Sequence, residues 1–286
     1  KLIFERDGDK WVNAPSEERC KAFVEFGLPY NIVRMQRDLE RYRIHFDQWF
    51  LESSLHQSGY VKETVDLLTQ AGLTYEKDGA LWLKNTELGA DKDEVMRRSN
   101  GFYTYYAVDI AYHRNKFVER HFDRVIDVWG ADHHGHAIRF GNTMKAPALG
   151  LNGRNLDFLI MQMVRLVRGD EVVKVSKRTG KALTLADLMD EIGVDACRFF
   201  FNAKPDTHLE FDLDLAVRED SENPVYYVQY AHARICTLIQ ALKEDGHTVP
   251  AASAVQFDLL TTEQERELIK QISALPEEIK LAARDY

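Results

Sequence analysis

Cysteine is scarce in this chain: three residues in 286, at positions 20, 197 and 236, with no C-x-x-C spacing among them. Neither a disulfide framework nor a cysteine-based zinc site is encoded, so each thiol is expected to be a small buried apolar group. Long apolar runs are missing too, and none approaches the roughly 18 residues that a membrane span requires. The opening residues, Lys1-Leu-Ile-Phe-Glu-Arg6, carry no secretory pattern. These absences predict a cytoplasmic protein with no membrane partner. Positive charge is in deficit, 37 Lys and Arg against 46 Asp and Glu, for a net charge of −9. That balance excludes a protein held to nucleic acid by phosphate contacts over its whole surface, and leaves room for a local basic face only. There is no internal repeat and no low-complexity tract.

What is present centres on one polar segment, Val172-Val-Lys-Val-Ser-Lys-Arg-Thr-Gly-Lys181. Its flanks predict a strand over 159–167, a turn at Arg168-Gly-Asp170, a return strand over 171–175, and a helix starting at Thr184-Leu-Ala-Asp187. A cationic loop thus leaves the edge of a sheet. The ammonium groups of Lys174 and Lys177 can sit on a polyphosphate and neutralise the charge that grows on a leaving pyrophosphate. The competing reading is a solvated surface loop, the usual fate of such a run.

Elsewhere the pattern predicts a hairpin over 4–13 turning at Asp7-Gly-Asp9, a helix over 16–25 capped by Ser16, and a helix over 31–42 from the spacing of Ile32, Met35, Leu39 and Tyr42. Residues 44–54 suit a strand and bend. Residues 61–71 form a helix closed by Gly72, and 75–83 a hairpin turning at Asp78-Gly79. A helix over 103–116 places Tyr105, Asp109 and Tyr112 or His113 on one face. Such an aromatic stripe is ordinarily core, but a carboxylate within it needs a partner, which a cationic ligand would supply. A short strand over 124–129 runs into Gly130-Ala-Asp-His-His-Gly-His136 and a helix over 137–149, the strand-end arrangement at which α/β proteins bind nucleotides, with Asp132 placed to hold a ribose. Alternatively Asp132, His133, His134 and His136 form a metal cluster, although nearly all the donors then come from five consecutive residues. Helices over 185–192 and 195–202, a short extended segment over 211–215, and long helices over 224–244 and 262–283 complete the chain. The change of texture predicts a boundary near 218, with an α/β domain over 1–217 and an all-α domain over 218–286.

Taken together, several words resemble the class I arginyl-tRNA synthetases in their bacterial form: Gly79-Ala-Leu-Trp82, Asp91-Lys-Asp93, Asp109-Ile-Ala-Tyr-His113, Gly130-Ala-Asp-His-His-Gly135, Gln162-Met-Val164, Lys174-Val-Ser-Lys-Arg178 and Asn223-Pro-Val-Tyr-Tyr-Val-Gln-Tyr-Ala-His-Ala-Arg234. The resemblance implies the second half of a Rossmann-like nucleotide-binding domain followed by a helical anticodon-binding domain. It also implies ATP-dependent attachment of arginine to tRNA(Arg) through an arginyl-adenylate. ATP with Mg2+ is then a substrate, there is no tightly bound cofactor or resident metal, and the parent is a monomer. In this family Lys174, Ser176 and Lys177 fall on the loop that stabilises pyrophosphate, Tyr105 and Asp109 on the pair that orients arginine, and Gly130, Asp132, His133, Gln162, Met163 and Val164 on the ATP-binding positions. No tRNA-contacting residue is assigned. Val175 and Arg178 depart mildly from the loop motif, and Ala90 and Asn100 stand where relatives carry acids. The class I HxGH motif should lie far upstream of the lysine loop. His133-His-Gly-His136 spells that pattern only about forty residues before the loop and already has another place in the family. The expectation is therefore an internal fragment, inactive alone and prone to self-association. Two other classes stay open: a metal-dependent hydrolase built on Asp132, His133, His134 and His136, and a non-catalytic tRNA-binding module.

Overall fold

The computed structural model describes residues 1–169, 171–174, 183–203 and 207–286. It divides into two compact units, Lys1–Val225 and Tyr226–Tyr286.

The first unit opens with helix α1 (Leu2–Asp7), a 3₁₀ turn (Gly8–Trp11) and the long helix α2 (Ser16–Arg41). The hairpin expected over 4–13 is absent. Gly8 has φ 58° and its N–H donates to the Phe4 carbonyl, so the glycine that suggested a hairpin turn instead closes a helix. The two helices expected over 16–25 and 31–42 are one, because Pro29 is accommodated inside α2. Proline deletes one backbone bond, and on a helix with no buried residue water can take up the carbonyl that is left. Ser16 is the first helical residue, and its side chain makes no cap.

Residues 44–52 form no strand, and α3 (Ser53–Gln57) follows them directly. Phe46 and Trp49 pack edge to face at 5.4 Å. Helix α4 (Tyr60–Gln70) leads through Gly72, φ 75°, into the antiparallel strands β1 (Thr74–Lys77) and β2 (Ala80–Leu83), with β3 (Glu94–Arg97) beside β2. The hairpin turn is Asp78-Gly79, both residues with positive φ, as a tight two-residue connection demands. Helix α5 (Tyr105–Val118), strand β4 (Arg124–Gly130), helix α6 (His134–Met144) and strand β5 (Asn155–Met161) come next, β4 and β5 pairing in parallel. Helix α6 starts three residues earlier than the pattern suggested, because a 3₁₀ turn at Ala131–His133 feeds straight into it. Helices α4, α5 and α6 with strands β2 to β5 share one core, in which Leu68, Leu83, Met96, Ile110, Phe117 and Phe140 are fully buried, while Leu55 of α3 packs in a smaller cluster with Val61, Val108 and Ala111.

The strand expected over 159–167 is broken at Gln162–Met163, and its second part, β6 (Val164–Arg168), belongs to a different sheet. There β6 pairs antiparallel with β7 (Glu171–Val172) and in parallel with β8 (Leu209–Asp212), so β6 is central and β7 is one of the two edges. Helices α7 (Leu185–Ile192) and α8 (Val194–Ala203), parted by Gly193 at φ 83°, and the short α9 (Leu213–Ala216) pack on this sheet. Phe211 stacks on Phe200 at 4.8 Å, and Tyr42 at the end of α2 joins the same core. Fully burying a phenylalanine contributes about 1.5–3 kcal/mol. Cys197 is buried here and burial pushes its thiol up to about 11, whereas Cys20 and Cys236 are exposed, against expectation.

Helix α7 begins with a reciprocal cap. The Thr184 hydroxyl oxygen accepts the Asp187 N–H at 3.2 Å, and the Asp187 carboxylate accepts the Thr184 N–H at 3.2 Å. Thr184→Ala is expected to lower stability by about 1 kcal/mol in urea unfolding. An unchanged midpoint would show that the cap contributes nothing.

Helix α10 (Pro224–Glu244) begins on the first unit, with Val225 in its second core, and continues into the second. Buried Asn223 sets its start: the amide donates to the carbonyls of Ala216 and Arg218 at 3.1 and 2.8 Å and accepts the Val225 N–H at 3.1 Å. The second unit contains the rest of α10 and α11 (Glu263–Asp285), the latter capped by Thr262 with Glu265.

Candidate functional site

Helix α5 is anchored at its start. The Thr104 hydroxyl accepts the Ala107 N–H at 3.4 Å and donates to the Val95 carbonyl at 2.6 Å, tying the first turn to β3. Tyr105, the next residue, is 77% exposed. Tyr106 points the other way, into a closed ring of hydrogen bonds in which the Asn85 side-chain amide donates to the Tyr106 hydroxyl (2.8 Å), Thr143 donates to Oδ1 of Asn85 (2.7 Å), and the Tyr106 and Thr143 hydroxyls meet at 2.6 Å. Burial pushes the Tyr106 phenol up to about 12. Asp109 follows Tyr105 by one turn, half-buried, with its carboxylate 3.6 Å from Nε2 of His136 on α6.

Tyr105, His136, Trp82, Glu94, Arg98 and Arg139 are among the residues that line a shallow cleft of about 530 Å³. Arg139 already holds Glu94 at 2.9 Å. The aromatic stripe is therefore only partly core: Tyr106 and His113 are buried, Tyr105 opens to this cleft, and the half-buried Asp109 reaches it only through His136.

Strands β4 and β5 run in parallel register with Gly130 opposite Met161, which sets Gly130 and Gln162 at neighbouring strand ends. The Asp132 carboxylate folds back over Gly130, 2.7 Å from where a Cβ on that glycine would stand. Asp132 and His133 are exposed, Gln162 is half-buried and Met163 is 69% exposed. Val164 opens β6 and so lies on the next sheet. Lys174 is exposed just past the edge strand β7, where the Val173 N–H still donates to the Leu166 carbonyl at 2.8 Å. Ser176 and Lys177 lie outside the described residues. The arginine and strand-end candidates thus gather around α5, β4 and α6, whereas Lys174 stands on a separate sheet with its own core.

The four proposed metal donors do not converge. His136 turns to Asp109, the Asp132 carboxylate lies 3.7 Å from His133, and His134 is exposed. Among the described residues no three His, Cys, Asp or Glu side chains form a metal-holding group, so the hydrolase reading has no geometry behind it.

Sequence reasoning gave no role to Asp93, to Asn100 or to the trio of buried His113 and Asp127 with half-buried Lys116. Asp93 accepts the N–H and hydroxyl of Thr86 (2.9 and 2.8 Å) and the Tyr75 hydroxyl (3.0 Å), and the Thr86 N–H is the main reason its carboxyl is held below the usual range. It braces the hairpin. Asn100 accepts the Phe102 N–H at 3.1 Å and shapes the turn before α5, a role its side-chain oxygen performs without charge. For Asp127 the available signal was an aspartate in the middle of an otherwise apolar strand, Val125-Ile-Asp-Val-Trp129.

Comparison with known proteins matches residues 18–246 to the catalytic domain of class I tRNA synthetases of the arginine type, and residues 228–286 to the DALR anticodon-binding domain. The chain is 54% identical over 277 residues to the arginine–tRNA ligase of Ruminiclostridium cellulolyticum, covering 96% of this chain and 49% of that protein. It is 54% identical over 285 residues to the arginine–tRNA ligase of Caldanaerobacter subterraneus subsp. tengcongensis, covering 99% and 50%. It spans about half the length of the curated relatives it matches. Among solved structures, an arginyl-tRNA synthetase from Campylobacter jejuni superposes with TM-score 0.75 at 36% identity, over 86% of this chain and 52% of that one. The Thermus thermophilus arginyl-tRNA synthetase has the same fold at 20% identity, with TM-score 0.66 over 99% of this chain and 57% of that one.

Proposed function

Because the chain belongs to the arginine-type class I tRNA synthetases, with their catalytic fold followed by a helical DALR domain, we propose that it takes part in charging tRNA(Arg) with arginine. In the first step the arginine carboxylate attacks the α-phosphorus of ATP. The bond to the β-phosphate oxygen breaks, and pyrophosphate leaves with the electron pair. In the second, a terminal ribose hydroxyl of the tRNA attacks the arginyl carbonyl and AMP leaves. ATP arrives with Mg2+ as part of the substrate, the protein works as a monomer, and tRNA charging places it in the cytoplasm.

The observation that carries this reading is the pairing of Tyr105 and Asp109 on one turn of α5, beside the strand ends of β4 and β5. A carboxylate accepts a guanidinium through two parallel N–H bonds, and a phenol ring beside it packs on the planar cation. Gly130 and Asp132 are assigned to the adenosine ribose, with Gln162 and Met163 beside the adenine and Val164 just beyond. His133 is included in this ATP group. Lys174, Ser176 and Lys177 are assigned to the pyrophosphate.

Arginine titration by calorimetry tests the pairing. Asp109→Asn keeps the size and removes the charge, and is expected to weaken arginine binding by about 2 kcal/mol, close to 30-fold, the loss of a charge-assisted hydrogen-bonded pair. Tyr105→Phe should cost less, because the ring remains. Unchanged affinity in Asp109→Asn would remove arginine from this turn and with it the basis of the reading.

A further inference from the structure

Strand β4 sends Val125, Asp127 and Trp129 toward α5 and α6, and Asp127 is 6% exposed. A carboxylate there costs several kcal/mol unless both oxygens are satisfied, and apolar residues of similar volume often serve stability as well or better. Here both oxygens are taken. Oδ2 meets Nε2 of His113 at 2.5 Å, and Oδ1 accepts from Lys116 Nζ at 3.1 Å. The other ring nitrogen of His113 donates to the Asp109 carbonyl at 2.8 Å. A polar path therefore runs from the main chain at Asp109 through one imidazole to a carboxylate three residues before Gly130.

A second path closes the circuit through rings. Phe140 of α6 packs on His113 at 4.8 Å and stacks on His136 at 5.6 Å, and His136 faces the Asp109 carboxylate. Trp129, next to Gly130, packs on His136 at 5.2 Å. Asp109 is thus gripped at its backbone and approached at its side chain by groups that all bear on the end of β4.

We propose that Asp127 and His113 are positioning residues that tie the turn carrying Tyr105 and Asp109 to the Gly130–His136 strand end, so that occupation of one subsite orders the other. The proposal rests on the arginine and nucleotide assignments made above. It accounts for a buried charged group where a valine would pack, since directional hydrogen bonds fix strand and helix in one relative register and apolar contacts allow several.

The test is hydrogen-exchange mass spectrometry of this chain with and without arginine. In the unsubstituted protein arginine is expected to slow exchange both in 105–113 and in 130–136. The double variant His113→Phe/Asp127→Val replaces the polar path by packing of similar shape. It is expected to keep arginine protection at 105–113, to lose it at 130–136, and to leave exchange in the hairpin over 74–83 unchanged. Should that pair pack poorly, His113→Leu/Asp127→Leu removes the same groups with different shapes. Lys116→Met, which leaves the His113 link in place, should keep protection at both segments. Protection at both segments in the double variants overturns the proposal, as does loosening of the hairpin by as much as the two segments, which marks a role in stability alone. If arginine protects nothing in the unsubstituted chain, the arginine assignment fails instead. The positioning role is then decided without ligand: faster exchange confined to 105–113 and 130–136 together in the double variants supports it, and independent changes overturn it.

Discussion

Lys177→Ala is expected to slow arginine-dependent ATP–pyrophosphate exchange by about 10²-fold in a full-length ligase carrying this chain, while arginine affinity stays nearly unmoved. The reason lies in where charge develops. In the ground state the phosphates of ATP are already neutralised in part by Mg2+ and solvent, whereas negative charge builds on the departing pyrophosphate only as the bond to the α-phosphorus breaks. An ammonium group placed there stabilises the transition state more than the bound substrate, and its removal therefore lowers turnover and spares binding. A loss of that size corresponds to about 2.7 kcal/mol of barrier. Lys174 stands just past the edge strand β7 and is exposed, so its ammonium group is open to a ligand's charge. Near-normal exchange in Lys177→Ala would return the segment to the solvated surface loop that its composition also allows.

The second large effect concerns stability. Asp127→Asn is expected to destabilise the chain by about 3–5 kcal/mol at pH 7 in urea unfolding, because one partner of a buried ionic group is removed and Lys116 and His113 lose the charge they were arranged around. Its pH dependence has a definite sign. Burial pushes the Asp127 carboxyl up, but the hydrogen bond and charge of His113, with Lys116, outweigh it and leave the carboxyl below the ordinary value of 3.8. A depressed carboxyl contributes stability that is complete above that ordinary value and is lost as pH falls through the depressed one. The gap between the unsubstituted chain and Asp127→Asn should therefore be full at neutral pH and close on the acid side of pH 4. Equal stability at pH 7 would show that the trio is a set of exposed-type pairs with no net contribution.

Local chemistry was legible where one signal had one meaning. Asp78-Gly79 between alternating strands, Gly72 after α4, Thr184 with Asp187 before α7 and Gly193 between α7 and α8 all occur as the residues suggest, since each depends on backbone geometry within a few positions. Where one signal had two meanings the pattern failed. Asp7-Gly8 suits a hairpin turn and a helix end equally, and only the absence of a partner strand decides between them. The apolar run over 159–167 satisfies a single strand, yet it crosses from one sheet to another at Gln162–Met163, which depends on what packs against each half. Helix α2 passes through Pro29 with no residue of the helix buried, so water can reach the carbonyl the proline leaves unpaired, a property of the surroundings that proline spacing does not carry.

For the site, residue types and order alone carried the resemblance to the family, and the side chains proposed from it suit their tasks whatever surrounds them, ammonium groups for a pyrophosphate and a carboxylate for a guanidinium. Tertiary structure decided which candidates stand together: Tyr105 and the half-buried Asp109 beside the ends of β4 and β5, Lys174 on another sheet, His136 turned to Asp109 rather than to a metal. It also decided what binds that assembly into one piece. The partners of Asp127 lie 14 and 11 positions earlier in the chain, on a helix rather than on its own strand. A buried charge is stabilised by groups that converge in space, and no period or motif along a sequence records that convergence.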